Sequence, residues 1–269
     1  MYLNKLKKES NLLLIALGFF TRIPIIKELD FSQKNLNQAS RYFSLVGWLI
    51  GIPCALVFYL TSIVLPITIS ILLSMIFGFL LTGGFHEDGL ADSIDGLGGG
   101  WTTEDKLRIM KDSRIGSYGS LGLWSILTLK FFLLLEIASS NSLLATLNVY
   151  IAILISHPLS RSLSSALIYA LPYVSDSDTA KVKPLAESNR IVDLVINLII
   201  GCSALLILNA IAWSILLSQL MLFFVLKWFF YRQVKGFTGD LLGAAQQLSE
   251  ILIYAVILSS LFIGSGVSA

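Results

Sequence analysis

Between His86 and Gly119 the chain concentrates side chains that can hold charge. Seven of its 17 acidic residues fall between Glu87 and Asp112, and eight glycines fall between Gly83 and Gly116. Asp88, Asp92 and Asp95 are spaced i, i+4, i+7, which places three carboxylates on one stripe of a helix. Like charges so arranged repel one another and call for a cation. Magnesium takes oxygen ligands and commonly bridges a few carboxylates and a substrate phosphate. Glu87 beside the stripe and Asp240 far along the chain extend the candidate ligand set to Glu87, Asp88, Asp92, Asp95 and Asp240. Zinc fits less well, because His86 has no cysteine or second histidine nearby. Basic residues follow at once: Lys111 and Arg114 flank Asp112 and Ser113. A divalent metal and fixed cations together neutralise the charge on a transferring phosphoryl group. A solvated, charge-rich loop would be the ordinary alternative, but such loops carry more Lys and Gln and fewer glycines. The segment reads as a Mg²⁺-dependent phosphotransfer site, with Asp88, Asp92 and Asp95 as its catalytic carboxylates.

The elements that must position this segment are membrane helices. Of 269 residues, 55% are hydrophobic and only 13% charged, about half the charge of a soluble domain; the mean hydropathy is +0.80. A span needs about 20 apolar residues. The expected spans are 42–60, 63–82, 121–138, 145–171, 191–208, 211–231 and 250–266. The fold class is therefore all-α: a polytopic bundle of about seven spans, plus a re-entrant or interfacial helix over 11–26, where Arg22 and Pro24 interrupt the apolar run. Strands are excluded by long, non-alternating runs and by the cost of an unpaired sheet edge in lipid. The connections alternate. Thr61–Ser62, Ser139–Ser142 and Asn209–Ala210 carry no charge, whereas 1–41, 83–120, 172–190 and 232–249 hold nearly all the Lys and Arg. Positive residues stay inside, so the acidic segment 83–120 is expected on the cytoplasmic face of a single membrane domain, 1–269. Lys5, Lys7 and Lys8 resemble the start of a signal peptide, but Arg22 and Pro24 follow where small residues would be needed, so the segment is expected to be retained.

Other polar residues stand in apolar surroundings. Arg161 lies inside a span, where a charge is costly and usually paired or functional; a phosphate or one of the aspartates would be its partner. His157, beside Pro158, reads as a polar residue at a kink. Asp240, Gln247 and Glu250 share a helical face and suggest a second acidic stripe, so that metal would sit between two helices. Arg22 and Arg41 would serve either the substrate or the headgroup layer. Cys54 and Cys202 lie in apolar runs and read as buried small hydrophobes.

The blocks Gly84-Phe-His-Glu-Asp-Gly-Leu-Ala-Asp-Ser-Ile-Asp-Gly96 and Ile109-Met-Lys-Asp-Ser-Arg-Ile-Gly-Ser-Tyr-Gly119 closely resemble cobalamin synthase, also called adenosylcobinamide-GDP ribazoletransferase. Phe19-Phe-Thr-Arg-Ile-Pro24, Arg41 with Val46-Gly47, and Gly236-Phe-Thr-Gly-Asp-Leu-Leu-Gly-Ala244 look like further blocks of that family, so the resemblance runs over nearly the whole chain. It implies an integral inner-membrane, Mg²⁺-dependent transferase. Such an enzyme joins adenosylcobinamide-GDP to α-ribazole or its 5′-phosphate and releases GMP, the last step of nucleotide-loop assembly. On these blocks His86, Lys111, Asp112, Ser113 and Arg114, with Arg22, Arg161 and Thr238, are expected to contact substrate. The expected partners are those small molecules and the lipid bilayer, with no nucleic acid; the oligomeric state stays open. Two alternatives stand beside this. The spacing of the aspartates is also like that of CDP-alcohol phosphotransferases, although Leu97, Gly98 and Gly99 replace the usual run after Asp95-Gly96. An ion-coupled transporter would suit an intramembrane arginine, but transporters place ion sites near the bilayer midplane.

Overall fold

The computed structural model describes residues 2–140, 145–174, 190–208 and 210–264. The connection residues Ser142, Lys181, Lys183 and Asn209, and the end of the expected span 250–266, lie outside the described residues.

The fold is all-α, as expected. In order the helices are α1 (Tyr2–Phe20), α2 (Gln33–Ala39), α3 (Phe43–Ser62), α4 (Ile67–Thr82), α5 (Phe85–Gly99), α6 (Thr103–Met110), α7 (Ser117–Ser139), α8 (Ala145–Ala170), α9 (Ile191–Cys202), α10 (Ile211–Val234) and α11 (Gly239–Gly264), with short 3₁₀ turns at Ser40–Tyr42 and Ser203–Ile207. Among the described residues five helical stretches are long and apolar enough to cross a membrane: Gln33–Ser62, α7, α8, α10 and Gly239–Ile263. A sixth appears if α4 and α5 are one broken span. The expected number was about seven. The difference lies at 191–208, where α9 has 12 residues, about 18 Å of helix at 1.5 Å per residue. It also lies at 63–82, where α4 keeps 16 residues and bends by 87° into α5.

That bend has a local cause. Gly83 and Gly84 both take left-handed backbone angles, φ 70° and 69°, a region closed to most side-chain-bearing residues. Two such residues in succession end α4 and start α5 in a new direction. The N-terminal region is helical from Tyr2 to Phe20 and buries Leu12, Ile15 and Ala16. An ion cluster holds it down: Arg41 donates to Glu9 at 2.9 Å and pairs with buried Asp193 of α9. Arg41 thus serves the fold rather than a substrate.

The central pair is α3 on α8. Gly47 and Gly51 form a small-xxx-small surface that lets two helix backbones touch. A Cβ on Gly47 would lie 2.6 Å from the His157 carbonyl oxygen and 2.6 Å from Pro158 Cα, and one on Gly51 would lie 2.9 Å from the Leu154 oxygen. Pro158 sits inside α8 at this contact. A second close approach brings α5 against α11, where a Cβ on Gly89 would lie 3.0 Å from Asp240 Cα.

Replacement of Gly47 by Leu puts a branched side chain against immovable backbone. We expect a loss of about 1–3 kcal/mol, read as a lower melting temperature in detergent. Gly78→Ala is the control. Its new methyl would meet only Cys54 Sγ, at 3.5 Å, and the helix gains propensity, so melting should be unchanged or higher.

Candidate functional site

The stripe on α5 forms as its spacing predicts, but its members face different neighbours. Asp92 is half-buried and has like charges around it: Asp240, Asp88 and Asp95. Asp240, in the first turn of α11, has Asp88 as its like charge and Lys111 as its opposite. Carboxylates from two helices are thereby brought to one place, and the Gly89 contact is what lets α11 come so close. Asp240 arrives there because α11 starts at Gly239, eleven residues earlier than the hydropathy of 250–266 suggests. Phe237 donates its N–H to the Pro172 oxygen at 2.9 Å and accepts from Val174 N at 2.9 Å, fixing the turn before α11. Thr238 then caps that helix by accepting from Leu241 N at 3.2 Å.

Asp95 is buried and engaged. Its two oxygens accept the amide N–H groups of Gly116 at 2.6 Å and Gly119 at 2.8 Å, at the N-terminus of α7. Those glycines are required by the contact, since a Cβ at either would collide with the carboxylate. Glu87 is turned away from the stripe. It accepts from Gln247 Nε2 at 2.7 Å and lines a small polar cavity inside the bundle. Among the described residues no group of three or more His, Cys, Asp or Glu is ready-made for a metal. Asp88, Asp92 and Asp240 nevertheless lie near enough to feel one another's charge and offer hard oxygen donors, and magnesium is usually held by one or two carboxylates with substrate phosphates supplying the rest.

A cavity of about 400 Å³ opens beside Asp88 and Asp240. Asp88, Lys111, Thr238 and Asp240 lie on its wall, as do His86 and Arg161. The rest includes six aromatic rings, Phe19, Phe20, Phe43, Phe85, Tyr173 and Phe237, among aliphatic and small residues. Phe20 and Phe85 each meet the His86 ring edge to face, with centroids 5.5 and 5.3 Å away. The remaining expected residues lie outside it. Arg114 is exposed and bonds Asp112 through Nη2 at 2.7 Å, and its guanidinium pulls the Asp112 carboxyl down to about 2. Ser113 is exposed in the same turn. Arg22 is exposed beside Gly83 at the α4–α5 corner, its N–H on the Leu81 oxygen at 2.8 Å.

Sequence reasoning missed the interior network. Lys130 of α7 pairs with Glu250 of α11, and His157 Nδ1 lies 2.9 Å from the other Glu250 oxygen. Gln247 joins Lys130 and Glu87 to the same group. Glu250 therefore belongs to a buried ion cluster, not to an acidic face shared with Asp240, and His157 is its partner rather than a bystander at a kink. The one available signal was a lysine at 130, inside the expected span 121–138.

Carboxylates converging from two helices beside a buried cavity define a multi-pass membrane protein with an enclosed polar site. The family model described as Cobalamin-5-phosphate synthase matches residues 12–258, and the chain belongs to that family. It is 51% identical over 253 residues to the adenosylcobinamide-GDP ribazoletransferase of Shewanella frigidimarina, covering 94% of this chain and 95% of that one. It is 50% identical to those of Shewanella oneidensis and Shewanella baltica, each over 252 residues, 93% of this chain and 95% of theirs. No solved structure matches. The resemblance carried by the acidic and basic blocks is thus a family relationship across the chain.

Removal of the Asp95 side chain orphans two amides at the start of α7. Asp95→Ala should cost about 1–2 kcal/mol, the usual worth of an N-terminal cap, seen as a lower melting temperature in detergent. Asp95→Asn keeps one acceptor oxygen and should fall between. Melting indistinguishable from the parent in both variants would mean that the carboxylate does not hold α7.

Proposed function

We propose that the chain is an adenosylcobinamide-GDP ribazoletransferase, joining adenosylcobinamide-GDP to α-ribazole or α-ribazole 5′-phosphate with release of GMP. The observation that carries the reading is the meeting of Asp88 and Asp240, with Asp92 close to both, at a cavity whose wall also holds Lys111 and Arg161. Family membership decides for it over a lipid phosphotransferase or an ion-coupled transporter.

A ribose hydroxyl of the ribazole attacks the phosphorus nearer to cobinamide. An oxygen–phosphorus bond forms there, and the bond from that phosphorus to the bridging oxygen breaks, so that GMP leaves with the electron pair. Asp88 and Asp240 are the residues that would hold Mg²⁺, which supplies Lewis-acid neutralisation of the diphosphate. Asp95 has both oxygens on amides, so we assign the hydroxyl proton to Asp92, half-exposed between Asp88 and Asp240. Lys111 sets a positive charge opposite the diphosphate. The exposed Arg114–Asp112 pair is left with its charge satisfied and serves the turn. Lys and Arg in the charged connections support an orientation with this site on the cytoplasmic face of the inner membrane.

The test is GMP release by purified protein given adenosylcobinamide-GDP, α-ribazole and Mg²⁺. Omission of any one, or addition of a chelator, should abolish it. Asp92→Asn should lower kcat by about 100-fold or more, the scale of a lost general base, with an unaltered melting curve. Near-parental turnover in Asp92→Asn would overturn the assignment.

A further inference from the structure

Arg161 carries a full charge in the interior, where the carboxylates of Glu250 and Glu87 act on it only at a distance and neither pairs with it. It is 2% exposed. Its Nη1 donates to the backbone oxygen of His157 at 3.0 Å, while its Nε is buried without a hydrogen-bond partner. Among the described residues no salt bridge reaches it: Glu250 is taken by Lys130 and His157, and Glu87 accepts from Gln247. One face of the guanidinium lies over the Phe20 ring, 6.0 Å from its centroid. His86, 4% exposed and also on the cavity wall, has an unpartnered Nδ1. A buried polar atom left without a hydrogen bond is costly, and Arg161 and His86, which carry two such atoms, both lie on the wall of the cavity.

The size and lining of that cavity limit what enters it. About 400 Å³ is at the small end of ligand pockets, which run from roughly 300 to 1,000 Å³. A corrin macrocycle with its amide side chains is several times too large. A single aromatic nucleoside fits, and rings such as Phe19, Phe20, Phe85 and Phe237 match an aromatic base better than a diphosphate. The carboxylates and Lys111 lie on the same wall, so a ribose seated there has its hydroxyls beside the reacting diphosphate.

Resting on the function proposed above, we propose that this cavity is the seat of the ribazole, with the corrinoid held outside it, and that Arg161, assisted by His86, reads an anionic 5′-phosphate on that ligand. Arg161 is then the residue that discriminates phosphorylated from free α-ribazole. The guanidinium presents several donors in a fixed fork suited to phosphate oxygens, and Phe20 holds its plane. Phe20 itself supports both forms of the ligand, since its contact is with the ring system.

Calorimetric titration of detergent-purified protein with α-ribazole 5′-phosphate, α-ribazole and adenosylcobinamide-GDP, each alone, tests this without relying on turnover. Arg161→Met should weaken the phosphorylated ligand by about tenfold or more, the loss of a charge-assisted contact. It should leave free α-ribazole and the corrinoid within about twofold, as for independent sites. Arg161→Lys should restore part of the difference. Phe20→Ala should weaken both ribazoles alike. Equal loss for both ribazoles in Arg161→Met, or a loss confined to the corrinoid in either variant, overturns the proposal. Should Arg161→Met fail to fold, the parent protein decides: equal affinity for phosphorylated and free α-ribazole overturns it. The expected binding pattern without any GMP release would instead sink the assigned reaction and leave the cavity's occupant standing.

Discussion

A single carboxylate inside the bundle organises the helices that carry the chemistry. Glu250 is fully buried on α11 and collects Lys130 from α7 and His157 from α8. Gln247, one turn earlier, reaches Glu87 on α5. Four helices are therefore referred to one ion cluster in a low-dielectric interior, where removal of one partner of a buried pair typically costs about 3–5 kcal/mol. Close packing at Gly89 brings α5 to backbone contact with α11, and Gly47 and Gly51 bring α3 to backbone contact with α8. The ion cluster fixes the register of its four helices, because a buried charge tolerates little misplacement.

The site inherits its geometry from that arrangement. Glu87 and Asp88 are adjacent, so the helix turns one carboxylate into the bundle and the next toward the cavity. The inward one anchors α5 on α11; the outward one meets Asp240 of the same α11. Anchor and working group thus belong to one helix pair, and the distance between Asp88 and Asp240 depends on the contact that Gly89 permits.

Much of this was legible in the chain. The acidic stripe, the partnership of α5 with a distant Asp240 and the all-helical membrane fold all followed from spacing and hydropathy. What failed did so for one physical reason. Hydropathy records whether a residue is polar, not whether its partner is water or another side chain. Gln246 and Gln247 fell in the expected connection 232–249 and Glu250 at the start of the next span, and together they are the buried face of α11; Lys130 fell inside the expected span 121–138 and is an ion-pair partner. Glu87 looked like a fourth ligand because the sequence gives no sign of which way a helix is turned. The aromatic cavity was invisible for a related reason: its rings come from five separate stretches of chain, and nothing local marks them as neighbours.

The hydrogen bonds from Gly116 and Gly119 to Asp95 join points 21 and 24 positions apart. The intervening stretch, α6 included, is a belt whose buckle is at the end of the acidic helix. Inward it sets Leu107, Met110 and Lys111 on the cavity wall, while exposed side chains such as Trp101 and Arg108 face away from the carboxylates. The buckle therefore fixes both ends of a strap whose inner side furnishes Lys111 to the cavity.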